Sequence, residues 1–154
     1  MAIGVSLILL GAFGLIIPFI GPLFGFGMGP DPAWVWTTQR FVRHVIPGAA
    51  VIVGGVLLLP GYRSSRGLGA TLALLGGVWF VLTPIVLGRG GEPQPALIDI
   101  LRPTVYHFGL GTIIAALAGF GIGRWTARSA EDRGEPYRTG DFRSERATGE
   151  RIRR

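Results

Sequence analysis

The stretch Gly67–Gly88 runs for 22 residues without a charged side chain. As a helix, a run of that length reaches across the ~30 Å hydrocarbon core of a bilayer. Three further segments share this character, and together they constrain the fold more than anything else in the chain. A helix at a water-facing surface needs a polar side, and none of these segments has one. In lipid each backbone N–H and C=O must find its partner within the segment, so all four are expected to be helical despite their glycines.

The spans are placed at Ala2–Ile20, His44–Tyr62, Gly67–Gly88 and Pro103–Gly123. Between the first two, Gly21–Pro32 holds four Gly and three Pro, too many for a continuing helix. An amphipathic stretch follows, with Trp34, Trp36 and Phe41 set against Gln39, Arg40 and Arg43. It reads as a short interfacial helix or a wet loop, because an indole is apolar while its N–H wants a partner. Tyr62–Arg66 is a tight polar turn, so the second and third spans form an antiparallel hairpin. Residues 89–102 make the last loop, with Glu92, Pro93, Pro95 and Asp99. No Asp, Glu, Arg or Lys falls inside any span as drawn. From Ser129 to Arg154, seven Arg mix with six acids and apolar residues are sparse, so this tail is expected to be disordered. The predicted fold class is an all-α polytopic membrane protein, residues 1–128 forming four transmembrane helices as two tandem hairpins.

The net charge of +6 does not point to nucleic acid, because the tail is nearly neutral and the excess lies in short loops beside apolar spans. Arg63, Arg66, Arg124, Arg128, Arg133 and Arg138 lie on one side, against Arg40, Arg43, Arg89 and Arg102 on the other. That imbalance puts both termini in the cytoplasm. Every basic residue is Arg, and Gly is abundant, as in GC-rich bacterial genomes. The expected location is therefore a bacterial inner membrane. Met1–Pro30 lacks a basic n-region and a small-residue cleavage site, so the first span is expected to remain. The absence of Cys removes disulfides, thiolate metal sites and Cys nucleophiles.

An internal repeat is visible. Leu9-Leu10-Gly11 followed by Pro18 echoes Leu74-Leu75-Gly76 followed by Pro84, and His44-Val-Ile-Pro-Gly48 matches His107-Phe-Gly-Leu-Gly111. Each half reads as a Leu-Leu-Gly helix with a later Pro, a loop, and a His-x-x-x-Gly helix. Two-span units share one orientation and are related by an axis along the membrane normal. The segment Gly77-Val-Trp79-Phe-Val-Leu-Thr83-Pro84-Ile-Val-Leu-Gly88 resembles the first helix of the SPW-repeat membrane proteins, small four-helix proteins built from two hairpins. The family's Ser-Pro-Trp stands here as Thr83-Pro84-Ile85, and in the other copy as Ile17-Pro18-Phe19. The resemblance implies an architecture and no activity.

Two sets of residues are candidates for a function. Gly69, Ala73 and Gly77, and likewise Gly111, Ala115, Gly119 and Gly123, recur at four-residue spacing, which lets helix backbones approach closely in lipid. Bundle packing is the first reading, with a homo-oligomer or another membrane-protein subunit as partner beside the lipid bilayer itself. His44 and His107, the chain's only histidines, fall at matching depths and form a candidate ligand pair for haem or a metal. An ordinary hydrogen-bonded histidine is the competing reading, and no cofactor or metal is expected. Ion-coupled transport lacks buried ionisable groups in the spans, and catalysis lacks a nucleophile motif or a phosphate-cradling loop, so no enzyme is expected. The expected function is a structural or accessory one exercised through helix packing. The alternative is a small transport or haem- or lipid-binding protein using the cleft between the hairpins.

Overall fold

The computed structural model describes residues 1–26, 31–60, 63–87 and 97–132, with only the backbone of 63, 97–100, 102, 103, 131 and 132. Among these the fold is all-helical, and four helices are long and apolar enough to cross a membrane. Helix α1 is Ala2–Ile20, closed by a 3-10 turn Gly21–Phe24. Gly25 follows at φ 75°, where a residue without a Cβ adopts the left-handed turn at no steric cost. Helix α2 is Thr38–Leu57, α3 is Arg66–Val86, and α4 is Leu97–Asp132. Helix α1 packs along α2 and α3 along α4, making two antiparallel hairpins joined chiefly by α2 against α3.

The spans differ from the sequence expectation at their ends. Helix α2 starts at Thr38, so the stretch holding Gln39, Arg40 and Arg43 is the beginning of a span. Helix α4 begins six residues before Pro103 and runs nine past Gly123. It takes in residues 129–132, the first of the expected disordered tail; 133–154 lie outside the described residues, as do 88–96 of the last loop. Arg40, Arg43, Arg66, Arg124 and Arg128 lie where the helices run past the ends of the apolar spans as drawn. A charge ends an apolar segment, but Arg, Ala and Glu are good helix formers, and the backbone ladder continues through them.

Leu7, Val51, Phe80 and Ile114, one from each helix, are fully buried where the four helices meet. Outside, Leu9, Val53, Leu68, Leu75, Ile85, Val105 and Ile113 are exposed, an apolar exterior of the kind lipid solvates. Backbones come closest at small residues. A Cβ on Gly11 would stand 2.9 Å from the Gly48 carbonyl, and one on Gly77 3.0 Å from the Gly111 carbonyl. Gly4 meets Gly55 and Gly54 meets Gly69 in the same way.

The predicted small-residue ridges are rearranged accordingly. Gly69 and Ala73 face α2, whereas Gly77 faces α4, and Gly76 takes its place against Val51 and Pro47. On α4, Gly111 and Ala115 meet Gly77, while a Cβ on Gly119 or Gly123 would meet nothing within 4 Å among the described residues. The reason is angular. Steps of four residues drift around the helix by ~40° each, whereas a step of seven returns within ~20°. Hence Gly111, Ile114, Ala118 and Gly121 are buried together, at three- and seven-residue spacing.

Candidate functional site

Prolines build the site. A proline inside a helix has no N–H, so the carbonyl one turn earlier loses its partner and must find another. Pro18 in α1 frees the Gly14 carbonyl, and the Tyr106 hydroxyl donates to it at 3.0 Å. Pro84 in α3 frees the Phe80 carbonyl, and His107 hydrogen-bonds the Phe80 backbone. The two donors are neighbours on α4, reaching from one place to both first helices.

Pro47 acts similarly in α2. Residues Phe41–Val45 form a π-helical turn, in which the Ile46 N–H donates to the Phe41 carbonyl five residues back. The Val42 carbonyl has then lost Ile46, and Pro47 has nothing to offer it. The Trp79 indole Nε1 of α3 donates to it instead, at 2.9 Å. The extra residue in this turn rotates the start of α2, and His44 lies within it, only 4% exposed. π-turns of this kind interrupt α-helices mostly where a side chain must be re-aimed, often at functional sites.

His44 is aimed at His107, which is equally buried at 4% exposure. Their ring centroids are 5.0 Å apart, with planes at 37°. Phe80 stands 6.2 Å from each, and Tyr106 lies 5.2 Å from His107 and 6.0 Å from His44. Phe80 reaches across to α1, where a Cβ on Gly14 would be 2.7 Å from its Cζ. The Nδ1 atoms of both histidines are buried without a hydrogen-bond partner among the described residues.

A buried arginine closes the end of the bundle nearest this pair. Arg40 sends Nη1 to the Pro32 and Val35 carbonyls at 2.9 and 2.8 Å and Nη2 to the Asp31 carbonyl at 2.8 Å. Its Nε lies 3.7 Å from the Asp31 carboxylate, and its guanidinium stands 5.7 Å over the Phe19 ring. Trp36 packs on the same ring, and the Trp34 N–H donates to the Phe19 carbonyl at 3.1 Å. Trp34 itself sits at φ 61°, a left-handed conformation that a bulky residue holds only when its surroundings impose it. Arg43 turns outward and donates to the Leu87 carbonyl at 2.8 Å, joining α2 to the end of α3.

Haem does not fit between the histidines. With metal–nitrogen bonds of about 2.0 Å, opposed axial imidazoles need ring centroids roughly 6 Å apart, with a porphyrin slot between them. The observed 5.0 Å is too short, and Phe80 and Tyr106 occupy the flanks. The expected cleft between the hairpins is likewise filled by the Leu7, Val51, Phe80 and Ile114 side chains. Among the described residues, no group of three or more His, Cys, Asp or Glu could hold a metal. The sequence brought His44 and His107 to notice but not Tyr106, Arg40 or Gly14, although in-span prolines four residues after Gly14 and Phe80 were a readable signal. Set against known protein families, curated proteins and solved structures, the chain matches none.

Proposed function

We propose that the chain is an integral protein of a bacterial inner membrane, with both termini in the cytoplasm. Its role in this reading is structural or accessory, exercised by packing its helices against a second copy or the subunits of a larger complex. The observation that carries the reading is the outer face of α4. Gly109, Gly119 and Gly123 have open space above them, flanked by the exposed Ile113 and Phe120. A face of small residues beside large apolar ones is what a neighbouring helix packs on in lipid, where close backbone approach replaces the hydrophobic drive. Among the described residues, packed side chains fill the centre of the bundle, which favours packing over passage of a solute.

The duplication belongs to the same proposal, together with the likeness of Gly77–Gly88 to SPW-repeat proteins. It is supported by the parallel use of Gly11 with Gly48 and Gly77 with Gly111, each second-helix glycine four residues after a histidine. Cross-linking tests the function, because the chain has no Cys of its own. Oxidation of Gly119→Cys in native membranes is expected to give a disulfide dimer, or a bifunctional thiol reagent an adduct with another chain identified by mass spectrometry. Leu68→Cys, exposed on α3, is expected to give neither. No adduct from Gly119→Cys, or equal yields from both, overturns the reading. For topology, an impermeant maleimide applied to intact cells is expected to label Gln94→Cys and spare Ser64→Cys; the reverse pattern rejects cytoplasmic termini.

A further inference from the structure

The two ends of the bundle hold their arginines differently. Where α1 passes to α2, Arg40 and Arg43 donate to backbone carbonyls, and Arg40 also faces the Asp31 carboxylate. At the other end α3 begins and α4 runs out. There the guanidiniums of Arg66, Arg124 and Arg128 donate to no protein acceptor among the described residues, and the Arg66 Nε is buried without a partner. A guanidinium carries five donors and no acceptor, in a fork that matches phosphate oxygens. We propose that this end of the bundle binds the phosphate headgroups of anionic phospholipids in preference to zwitterionic ones. The inference rests on the bilayer of the reading above, but needs neither a second copy nor a partner subunit.

Trp125 sets the geometry. An added Cβ on Gly67 would stand 3.2 Å from its ring, so the end of α4 lies beside Arg66 at the start of α3. The ring is still 41% exposed, an indole suited to the layer between acyl chains and headgroups. Helix side chains lean toward their own N-terminus, which for α4 means back toward the bilayer. The Arg124 guanidinium accordingly stands 5.7 Å over the ring of the exposed Phe120, one turn earlier. A cation held there meets the headgroup layer, with Phe120 and the exposed Leu68 as apolar surface for the acyl chains. Arg128 follows three residues after Trp125 on the same side of α4, and Arg63 lies in the 3-10 turn before α3.

The chain does not supply the missing anions. Asp31, the one acid among the residues whose side chains are described, belongs to the other end. Along the sequence, Arg63, Arg66, Arg124, Arg128, Arg133 and Arg138 stand against Glu131, Asp132 and Glu135. Residues 139–154 add five Arg and three acids, so the tail cannot neutralise the excess. A soluble phosphate meets the same charges but has no acyl chains to lay against Leu68 and Phe120.

Native mass spectrometry tests the proposal, on the full chain in micelles holding equal amounts of phosphatidylglycerol and phosphatidylcholine. One cation near an anionic lipid surface is worth about fivefold, so wild type is expected to retain phosphatidylglycerol at least about tenfold over phosphatidylcholine. The variant Arg66→Gln/Arg124→Gln/Arg128→Gln is expected to bring that ratio below about twofold. Arg138→Gln/Arg143→Gln/Arg146→Gln removes the same charge from the tail and is expected to leave the ratio nearly unchanged. Equal retention of both lipids by wild type, or an equal loss in the tail variant, overturns the proposal. Displacement of the lipid by millimolar inorganic phosphate overturns it too, assigning the arginines to a soluble anion. The wild-type ratio decides even if the first variant does not fold. It is also independent of the Gly119→Cys cross-link, so the packing role and the lipid preference fail separately.

Discussion

The two hairpins close in the same way and fill their interior differently. In each, the first helix meets the second at a pair of glycines, Gly11 with Gly48 and Gly77 with Gly111. Seven residues beyond the first of each pair stands a proline, Pro18 or Pro84, which releases the carbonyl of the residue four before it. There the likeness ends. Position 14 is a glycine in α1, whereas the matching position in α3 is Phe80, whose ring fills the space that Gly14 leaves. Leu7 is large where Ala73 is small, again with both fully buried. Both released carbonyls are served by α4, through Tyr106 and His107, while α2 places Arg43 and His44 at the equivalent sites. A centre shared by two hairpins cannot take a large side chain from both at once. Packing at the density of a protein interior sets large against small there.

The comparison is broken most severely at the glycine crossings. Gly11→Leu and Gly77→Leu each drive four carbons into a neighbouring backbone, and each is expected to cost more than about 3 kcal/mol. Thermal melting in detergent is the measurement, with Leu68→Ala, exposed on the outside of α3, as the control that melts like wild type. If Leu68→Ala melts as early as the other two, the crossings have no special place in the bundle.

Next in size is the asymmetric core. Phe80→Ala leaves a void between the hairpins and is expected to lose about 3–5 kcal/mol. Adding Gly14→Ala, which is harmful alone because Phe80 Cζ lies 2.7 Å and Leu110 Cδ2 3.0 Å from the added Cβ, should cost much less in that background, where only the flexible Leu110 remains in the way. Additive losses in a double-mutant cycle would show that the two positions do not share one space.

Smaller effects attend the proline carbonyls. Tyr106→Phe strands the Gly14 carbonyl and is expected to cost about 1–3 kcal/mol. Pro18→Ala restores an N–H to that carbonyl, so in the Pro18→Ala protein the Tyr106→Phe change should cost less than half as much. An unchanged penalty would mean that Tyr106 contributes through its ring alone. The least effect is expected from Thr83→Ile, which copies Ile17 into the second hairpin. Thr83 hydroxyl donates to the Trp79 carbonyl at 2.7 Å, a bond within one helix that competes only with an already served acceptor. A loss below about 1 kcal/mol by chemical denaturation fits this account.

Much of this was legible from the chain. Helix α1 follows its expected bounds, and α3 differs by a residue or two. The matched His-x-x-x-Gly segments hold Gly48 and Gly111, which are crossing points. The ridge of Gly111, Ala115, Gly119 and Gly123 misled because four-residue spacing was followed along the whole helix. Seven-residue spacing, which links Gly4 to Gly11, Gly48 to Gly55, Gly69 to Gly76 and Gly111 to Ala118, identifies the contacts. The Leu-Leu-Gly alignment was also one residue out of step, since Gly77 rather than Gly76 faces Gly111 as Gly11 faces Gly48.

The sequence by itself determined the four helices, because length without charge is a local property of a chain. It also determined which carbonyls would lack a partner, because a proline removes the N–H at a fixed distance along the helix. Tertiary structure alone decided who answers those carbonyls. Tyr106 and Gly14 are 92 residues apart, and Trp79 and Val42 are 37 apart. It also decided that Arg40 would turn inward onto Asp31 and the Phe19 ring, and that His44 would meet His107. Such partnerships depend on how helices rotate about their axes when they pack, and that rotation is set by the joint fit of all three small-residue seams rather than by any one segment.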